Sequence, residues 1–337
     1  MTLYPDNNHT ANEQWQTSVG SKDELEEVNI NAIVPRRHLI PNNKLANKIT
    51  KGIVDGTGRS QKFINKKNKQ VTTKALLSPE GRLNNLPERE RFTAYDRAVY
   101  DAITSLYASG NTIFTPKMIF RSMNGMIKSE YVSEPAAKAI SYSIKKIRSI
   151  VATIEYSAEA EAYGHDADSA KYHGLLLECD DVLTRISGKQ KDAYRLRRAP
   201  ILYEYAQISK QILSVPIEIL QTWKPRTEEG ATVRNTKEVI VTRSYLIRSI
   251  EGIKSPHFNR SDKIAFKGLF TELGISTDSV GSAATTDAGR EAAYRKKTKN
   301  IRDHVTTILT AWQCQKYIKG FEQYKIGKTI AGITIIV

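Results

Sequence analysis

The sequence predicts an α+β protein: two successive folded units behind a disordered N-terminal segment. Three observations carry this. One order of elements (helix, short extended piece, helix, longer helix, paired strands) occurs twice, over residues 87–215 and 216–337. Each occurrence closes on β-branched runs joined through a glycine turn, a hairpin signal. Residues 1–86 are polar and hold no apolar period of 3.6 or 2. The length of 337 residues suits two domains plus unstructured chain.

The N-terminal segment begins polar, with an acidic cluster at Asp23, Glu24, Glu26 and Glu27. It then turns basic through Lys44, Lys48, Lys51, Arg59, Lys62, Lys66, Lys67, Lys69 and Lys74, with Asp55 the only acid between Lys44 and Leu77. Short helices are expected only near 42–54. Such a segment serves as a solvated tail or as a basic arm lying along phosphates.

In the first unit, Thr93 with Asp96 three residues on reads as a capping box. Tyr95, Val99, Ile103 and Leu106 form one helical face, and Gly110-Asn111 ends it. Thr112-Ile113-Phe114 is a short extended link. Thr115-Pro116 starts a second helix, which stops at Asn124-Gly125. Ser133-Glu134-Pro135 opens a third, with Ala136, Ala139, Ile140, Ile144 and Ile147 on its apolar face. The opposite face offers Lys138, Ser141, Tyr142, Lys145, Lys146 and Arg148. Val151–Tyr156, 175–177 and 182–186 read as extended, with 157–174 a long loop. A turn at Ser187-Gly188-Lys189-Gln190 leads into Tyr194-Arg195-Leu196, so Lys189, Lys191 and Arg195 cluster on a hairpin. A helix from Pro200 to about Leu213 and an extended 215–219 join the units.

In the second unit, Asn235 or Thr236 caps a helix with Val239, Ile240, Leu246, Ile247 and Ile250 on its apolar side. Ser261-Asp262 starts another, over 264–273, and a loop covers 276–289. A long helix from about Arg290 to Gln315 buries Val305, Ile308, Leu309 and Trp312. Its N-terminal half carries Arg290, Arg295, Lys296, Lys297, Lys299 and Arg302. A hairpin turning at Lys325 to Lys328 ends the chain.

This order is that of a winged helix-turn-helix, in which the third helix enters the major groove and the hairpin wing reaches the adjacent backbone. The net charge of +15 asks for an anionic partner. The two basic helices and two hairpins point to double-stranded DNA, with affinity dominated by phosphate neutralisation.

Other classes are excluded or weak. No apolar run reaches the 20 residues of a membrane span, and the N-terminus has no secretory pattern, so the expected setting is cytoplasmic. Two distant cysteines, Cys179 and Cys314, make no disulfide framework and are expected in the core. Gly327-Lys328-Thr329 imitates a P-loop, but Glu322 stands where the leading glycine belongs, and a strand follows rather than a helix. His165, Asp166, Asp168 and His173 could ligate a metal, yet they sit in a Gly/Asp/Ser/Ala-rich stretch that reads as a polar wing loop. No catalytic function and no cofactor or metal is expected.

The layout resembles the replication initiators of iteron-containing plasmids and of integrative elements in Gram-positive bacteria. The resemblance rests on residues 93–103, Gly110-Asn111, Met123-Asn124-Gly125, Pro200-Ile201-Leu202-Tyr203 and Ser244-Tyr245-Leu246-Ile247. It covers residues 86–337. It implies that both winged helices bind repeated origin sequences, that the first mediates a homodimer, and that host helicase or initiator proteins are recruited. The alternatives are a transcriptional regulator or autorepressor of a mobile element, or a phage-encoded interaction protein.

Overall fold

The computed structural model describes residues 25–30, 32–49, 61–64, 71–79, 92–125, 131–166, 170–186, 188–222, 234–255, 261–282 and 286–337. The protein is α+β, with four small sheets among the described residues.

The first repeated unit holds α2 (Ala94–Ala108), β5 (Ile113–Phe114), α3 (Pro116–Met123), α4 (Glu134–Arg148), and the hairpin β8 (Cys179–Ile186) and β9 (Lys189–Leu196). The predicted capping box starts α2: Asp96 N donates to Thr93 Oγ1, and Thr93 N donates to Asp96 Oδ2 at 2.7 Å. Pro116 and Pro135 sit in the first turns of α3 and α4, where a missing N–H costs nothing. Strand β5 pairs with β9, so the link between the first two helices completes the hairpin's sheet.

The second unit repeats this order with α7 (Lys237–Lys254), β11 (Lys263–Ala265), α8 (Phe266–Glu272), α9 (Thr277–Val280), α10 (Asp287–Cys314), and the hairpin β12 (Gly320–Ile326) and β13 (Thr329–Ile336). Its sheet runs β11-β13-β12, again with the short strand paired to the returning arm of the hairpin. Thr236 is the cap of α7. Val305, Ile308, Leu309 and Trp312 are buried on α10, as the spacing predicts.

The N-terminal segment departs most from expectation. Within 1–86, expected to be mostly disordered, the described residues contribute β1 (Glu27–Val28), β2 (Arg37–Pro41), α1 (Lys44–Lys48), β3 (Gln61–Ile64) and β4 (Val71–Pro79). Leu45, Ala46, Ile49, Phe63, Ala75 and Leu77 are buried in the first core. No single period runs through the segment because it is broken into short pieces, each packed in its own way. The buried Arg97 fastens the segment to α2: its guanidinium bonds the carbonyls of Pro41 and Ala46 and reaches Asp101 at 2.9 Å. Only the expected short helix near 42–54 corresponds to an observed element, α1. Asp23, Glu24, Lys51, Asp55, Arg59, Lys66, Lys67 and Lys69 lie outside the described residues.

The stretch 150–175 also departs. The segment predicted as a loop over 157–174 contains α5 (Ser157–Ala162) and the start of β7 (Lys171–Leu175). With β6 (Ile150–Glu155) these form a second sheet in the order β3-β4-β6-β7. His173 therefore lies on β7 of an inserted sheet and His165 in the link after α5, rather than in a wing, and Asp168 lies outside the described residues. Among the described residues no group of three metal-ligating side chains gathers. No described helix is long and apolar enough to cross a membrane.

Smaller corrections have local causes. The helix after Pro200, α6 (Ile201–Ile208), ends early because Lys210 takes a left-handed φ of 51° and turns the chain into β10 (Ile212–Pro216). Residues 264 and 265, predicted as the start of a helix, belong instead to β11 because β13 offers them a partner. Residues 277–280, predicted as loop, form α9 on a Ser276 capping box. Cys179 is buried as expected, whereas Cys314 is exposed on the outer side of the last turn of α10.

Two larger cores result, one under α2–α4 and the inserted sheet, the other under α7, α8, α10 and the last hairpin. Strand β2 pairs with β10 along Arg37–Pro41, and Ile40 is buried in the second core. Arg243 of α7 spans both units. It donates to Met123 O and Asn124 Oδ1 at the end of α3, and to Leu220 O, Thr222 Oγ1 and Asn235 Oδ1.

Candidate nucleic-acid interface

Helix α4 buries Ala137, Ile140, Ser143, Ile144 and Ile147. That apolar stripe turns Lys138, Tyr142 and Lys145 outward at positions i, i+4 and i+7, so the three share one exposed face. Tyr142 is 51% exposed. Ser141 is half-buried and hydrogen-bonded to Tyr194 of β9, so it leans toward the hairpin.

The other two cations of α4 have structural partners. Lys146 Nζ lies 2.6 Å from Asp96 Oδ2 with only 10% of its side chain exposed, and 5.6 Å from the Tyr142 ring centroid. Asp96 is the capping-box carboxylate of α2, so Lys146 ties α4 to the start of α2. The expectation that Lys146 faces DNA is corrected here. A one-residue step along a helix rotates a side chain by about 100°, enough to carry it from the outer face into the packing seam. Replacing Lys146 with alanine leaves a buried carboxylate without its cation and is expected to cost about 2–4 kcal/mol of stability. Lys145→Ala should stay within about 0.5 kcal/mol of wild type. Urea titrations of the two variants check this, and equal stabilities would refute it. Arg148 Nη1 bonds Asp181 Oδ2 of β8 at 2.8 Å and so braces the helix against the hairpin.

At the first hairpin, Lys189 and Lys191 are exposed beside the turn. Arg195 sits further back and is held by both oxygens of Glu26 at 2.8 Å. Arg185 is held in the same way by Glu27, at 3.0 and 3.2 Å. Strand β1 pairs in parallel with β8, so part of the acidic N-terminal cluster covers these arginines. The hydrogen bond from Arg195 holds the Glu26 carboxyl below its usual range, so the pair persists into mild acid. Arg195 is available to phosphate only when Glu26 yields.

Helix α10 has 28 residues and so spans about 42 Å. Its buried residues lie between Thr298 and Trp312, and Trp312 Nε1 donates to Ile219 O at 2.6 Å. The N-terminal half is partly exposed. Arg295, Lys296 and Lys299 are exposed there, and Arg302 is half-buried. Arg290 bonds Asp287 at 2.8 Å, and Arg295 bonds Glu291 at 3.0 Å, both exposed pairs along the helix. Such pairs contribute little to stability and exchange readily for phosphate. Lys297 differs: it bonds Glu238 of α7 and faces the packing seam rather than the outer face. Lys325 and Lys328 are exposed at the tip of the second hairpin.

A third basic feature was visible in the sequence only as scattered lysines. In the inserted sheet, Lys62 pairs with Lys74, Lys74 with Glu155, and Glu155 with Lys171, giving one row across four strands. All three lysines are exposed, and Glu155 bonds Lys74 at 3.1 Å. Lysines directly opposite one another repel, so the row favours an anion above it. Alternation over 71–79, with Thr73, Ala75 and Leu77 inward, is the signal that would have placed Lys74 on a sheet face.

Both units thus expose basic residues on a helix face and lysines at a hairpin tip. This arrangement can neutralise phosphates along a duplex and present Tyr142, Lys138, Lys296 and Lys299 to groove edges. No family model and no curated protein matches the chain. Among solved structures, domains 2 and 3 of RctB are similar to it at 13% identity and a TM-score of 0.36, with 86% of this chain and 96% of that one covered.

Proposed function

We propose that the chain is a sequence-specific double-stranded DNA-binding protein that initiates replication of a plasmid or integrative mobile element. On this reading both units are winged helices, each binding repeated origin sites through its third helix and its hairpin. The protein acts by binding, without catalysis or cofactor, and it recruits host replication proteins to the opened origin. A homodimer through the first unit is part of the same reading.

The observation that carries it is the repeated topology. In each unit a helix, short strand, helix, basic helix and hairpin occur in that order, and the short strand pairs with the returning arm of the hairpin. Two such units joined through Arg243 and the β2–β10 pair would hold their basic helices at a set separation, as repeated sites require.

Footprinting on the DNA flanking its own gene, at two salt concentrations, tests the proposal. Several directly repeated protected sites are expected. One palindromic footprint at a promoter would favour a regulator instead, because two-fold sites mirror a symmetric dimer. Sequence-blind protection would overturn specific recognition. Replacing Lys296 and Lys299 with alanine should lower affinity and reduce the slope of log K against log salt by about two, since each phosphate left without its cation takes about 0.9 off the slope. An unchanged slope would remove α10 from the interface.

A further inference from the structure

Part of the acidic N-terminal cluster sits on the first hairpin in a way that DNA contact does not require. Strand β1 pairs with β8 over two residues only, Glu27 opposite Leu183 and Val28 opposite Thr184. Just before it, Glu26 O accepts from Leu183 N at 2.8 Å. The apolar hold is equally small: Val28 packs with Val182 and Ala193, and Ile30 and Ile113 lie alongside. The segment is also tethered. Five residues past Val28, Asn111 fastens Ile33 by two hydrogen bonds of 2.8 Å, donating to its carbonyl and accepting from its N–H. A segment released from the β8 edge therefore stays close and can return.

The two carboxylates take one arginine each. Glu26 holds Arg195 through both oxygens at 2.8 Å, and Glu27 holds Arg185 at 3.0 and 3.2 Å. Arg195 is in register with Asp180, an odd number of residues from Arg185, so the two guanidinium groups lie on opposite faces of the hairpin. Neighbouring residues of an extended chain also point to opposite faces, so Glu26 and Glu27 reach both faces from one edge. Both pairs are open to water, with the side chains of Arg185 and Glu26 62% and 63% exposed. Such pairs hold weakly. A carboxylate that engages a guanidinium through both oxygens fills the contact that two phosphate oxygens would make.

We propose that β1 and the residue before it form an autoinhibitory strap. Glu26 and Glu27 stand in for phosphates on Arg195 and Arg185, and a duplex docking on the hairpin displaces them. The inference rests on the DNA-binding reading and adds a regulated step to it. With the strap displaced, the hairpin offers Arg185, Lys189, Lys191 and Arg195 along about 20 Å of ribbon, instead of the two lysines alone. A tethered carboxylate competes with every phosphate at the same site, so the strap suppresses weak, sequence-blind contacts more than a duplex already engaged by α4.

The test measures the affinity of the full chain for a duplex of about three helical turns over a series of salt concentrations. Glu26→Gln with Glu27→Gln is expected to raise affinity at least about fivefold at about 0.1 M salt. It should also steepen the slope of log K against log salt by up to about two, one for each arginine released. Glu161→Gln with Glu218→Gln makes the same change in net charge at exposed acids elsewhere, and should raise affinity less than about twofold because salt screens distant charges. Adding Arg185→Gln and Arg195→Gln to the first pair should cancel its gain. Val28→Cys with Thr184→Cys, opposite one another in register, locks the strap in place when oxidised. The locked protein should bind at least about threefold more weakly than its reduced form, since phosphate can no longer displace the strap. Unchanged or weaker binding by the Glu26→Gln, Glu27→Gln protein overturns the strap, and so does equal affinity of the locked and reduced forms. An equal gain in the charge-matched control assigns the effect to net charge and also overturns it. In each of these cases wild type still binds, and the DNA-binding reading stands. No binding of any duplex by wild type or variants overturns both. Circular dichroism and thermal unfolding check that each variant is folded.

Discussion

Replacing Arg243 with alanine is expected to destabilise the protein by about 3–5 kcal/mol. It should also split its unfolding into two transitions. The guanidinium is 1% exposed, and the five acceptors described above come from both units, none of them a carboxylate. Burial pulls its pKa down to about 9, so it remains charged at neutral pH. The charge is held by carbonyl and amide oxygens, including those at the C-terminal end of α3, where the helix dipole favours a cation. Alanine removes the donors and leaves buried acceptors with no water to replace them. Lysine keeps the charge but cannot reach two groups of acceptors in different directions, so Arg243→Lys should recover only part of the loss. Calorimetry and urea titration of the full chain check this. A single transition at wild-type stability in Arg243→Ala would show that the units are joined by other means.

Acid should weaken the same junction through His38. The ring is buried on β2 with Nδ1 3.2 Å from Ser105 Oγ. The Ser105 hydroxyl donates to Asp101 O at 2.8 Å, so the ring donates to Ser105 Oγ through Nδ1–H. Burial, and then the nearby Arg243 charge, lower the His38 pKa from 6.5 to about 3. The sign follows from linkage. Between pH 6.5 and 3 the unfolded chain binds a proton that the folded chain refuses, so stability falls as pH falls through that window and levels off below it. The slope is about 1.4 kcal/mol per pH unit, or about 2–3 kcal/mol between about pH 6.5 and about pH 4.5. Denaturation of wild type and His38→Asn at a series of pH values isolates this term from the carboxylates. The wild-type curve should fall more steeply, and parallel curves would refute the assignment. Arg243→Lys, which keeps a cation nearby, should retain the steep slope.

Much of the secondary structure was legible because its signals are local. The Thr93–Asp96 capping box, the prolines opening α3 and α4, and the buried spacing Val305, Ile308, Leu309 and Trp312 each depend on residues within a turn or two of one another. The two hairpin turns were legible for the same reason, since Gly188 and Gly327 mark them by composition.

Which side chains belong to the candidate interface was legible only by type. Lys145 and Lys146 are neighbours of equal charge on one helix, yet the first is exposed and the second is joined to Asp96, fifty residues earlier. Lys296 and Lys297 divide in the same way, because Glu238 of α7 lies beside only one of them. Periodicity gives a helix its faces, but the partner on the next helix decides whether a cation at the boundary turns outward or in.

The sequence by itself determined that this is a basic α+β chain with one order of elements used twice, since periodicity, caps and turn chemistry act over a few residues. Tertiary structure alone decided the place of the N-terminal segment, the inserted sheet and the joint at Arg243. Strands β2 and β4 find their partners at β10 and β6, and Arg243 finds its acceptors at the end of α3 and before α7. Those pairings run across about 80 to 175 positions of chain. No local pattern encodes them, because a short strand gains its hydrogen bonds and burial only once the distant partner is already in place.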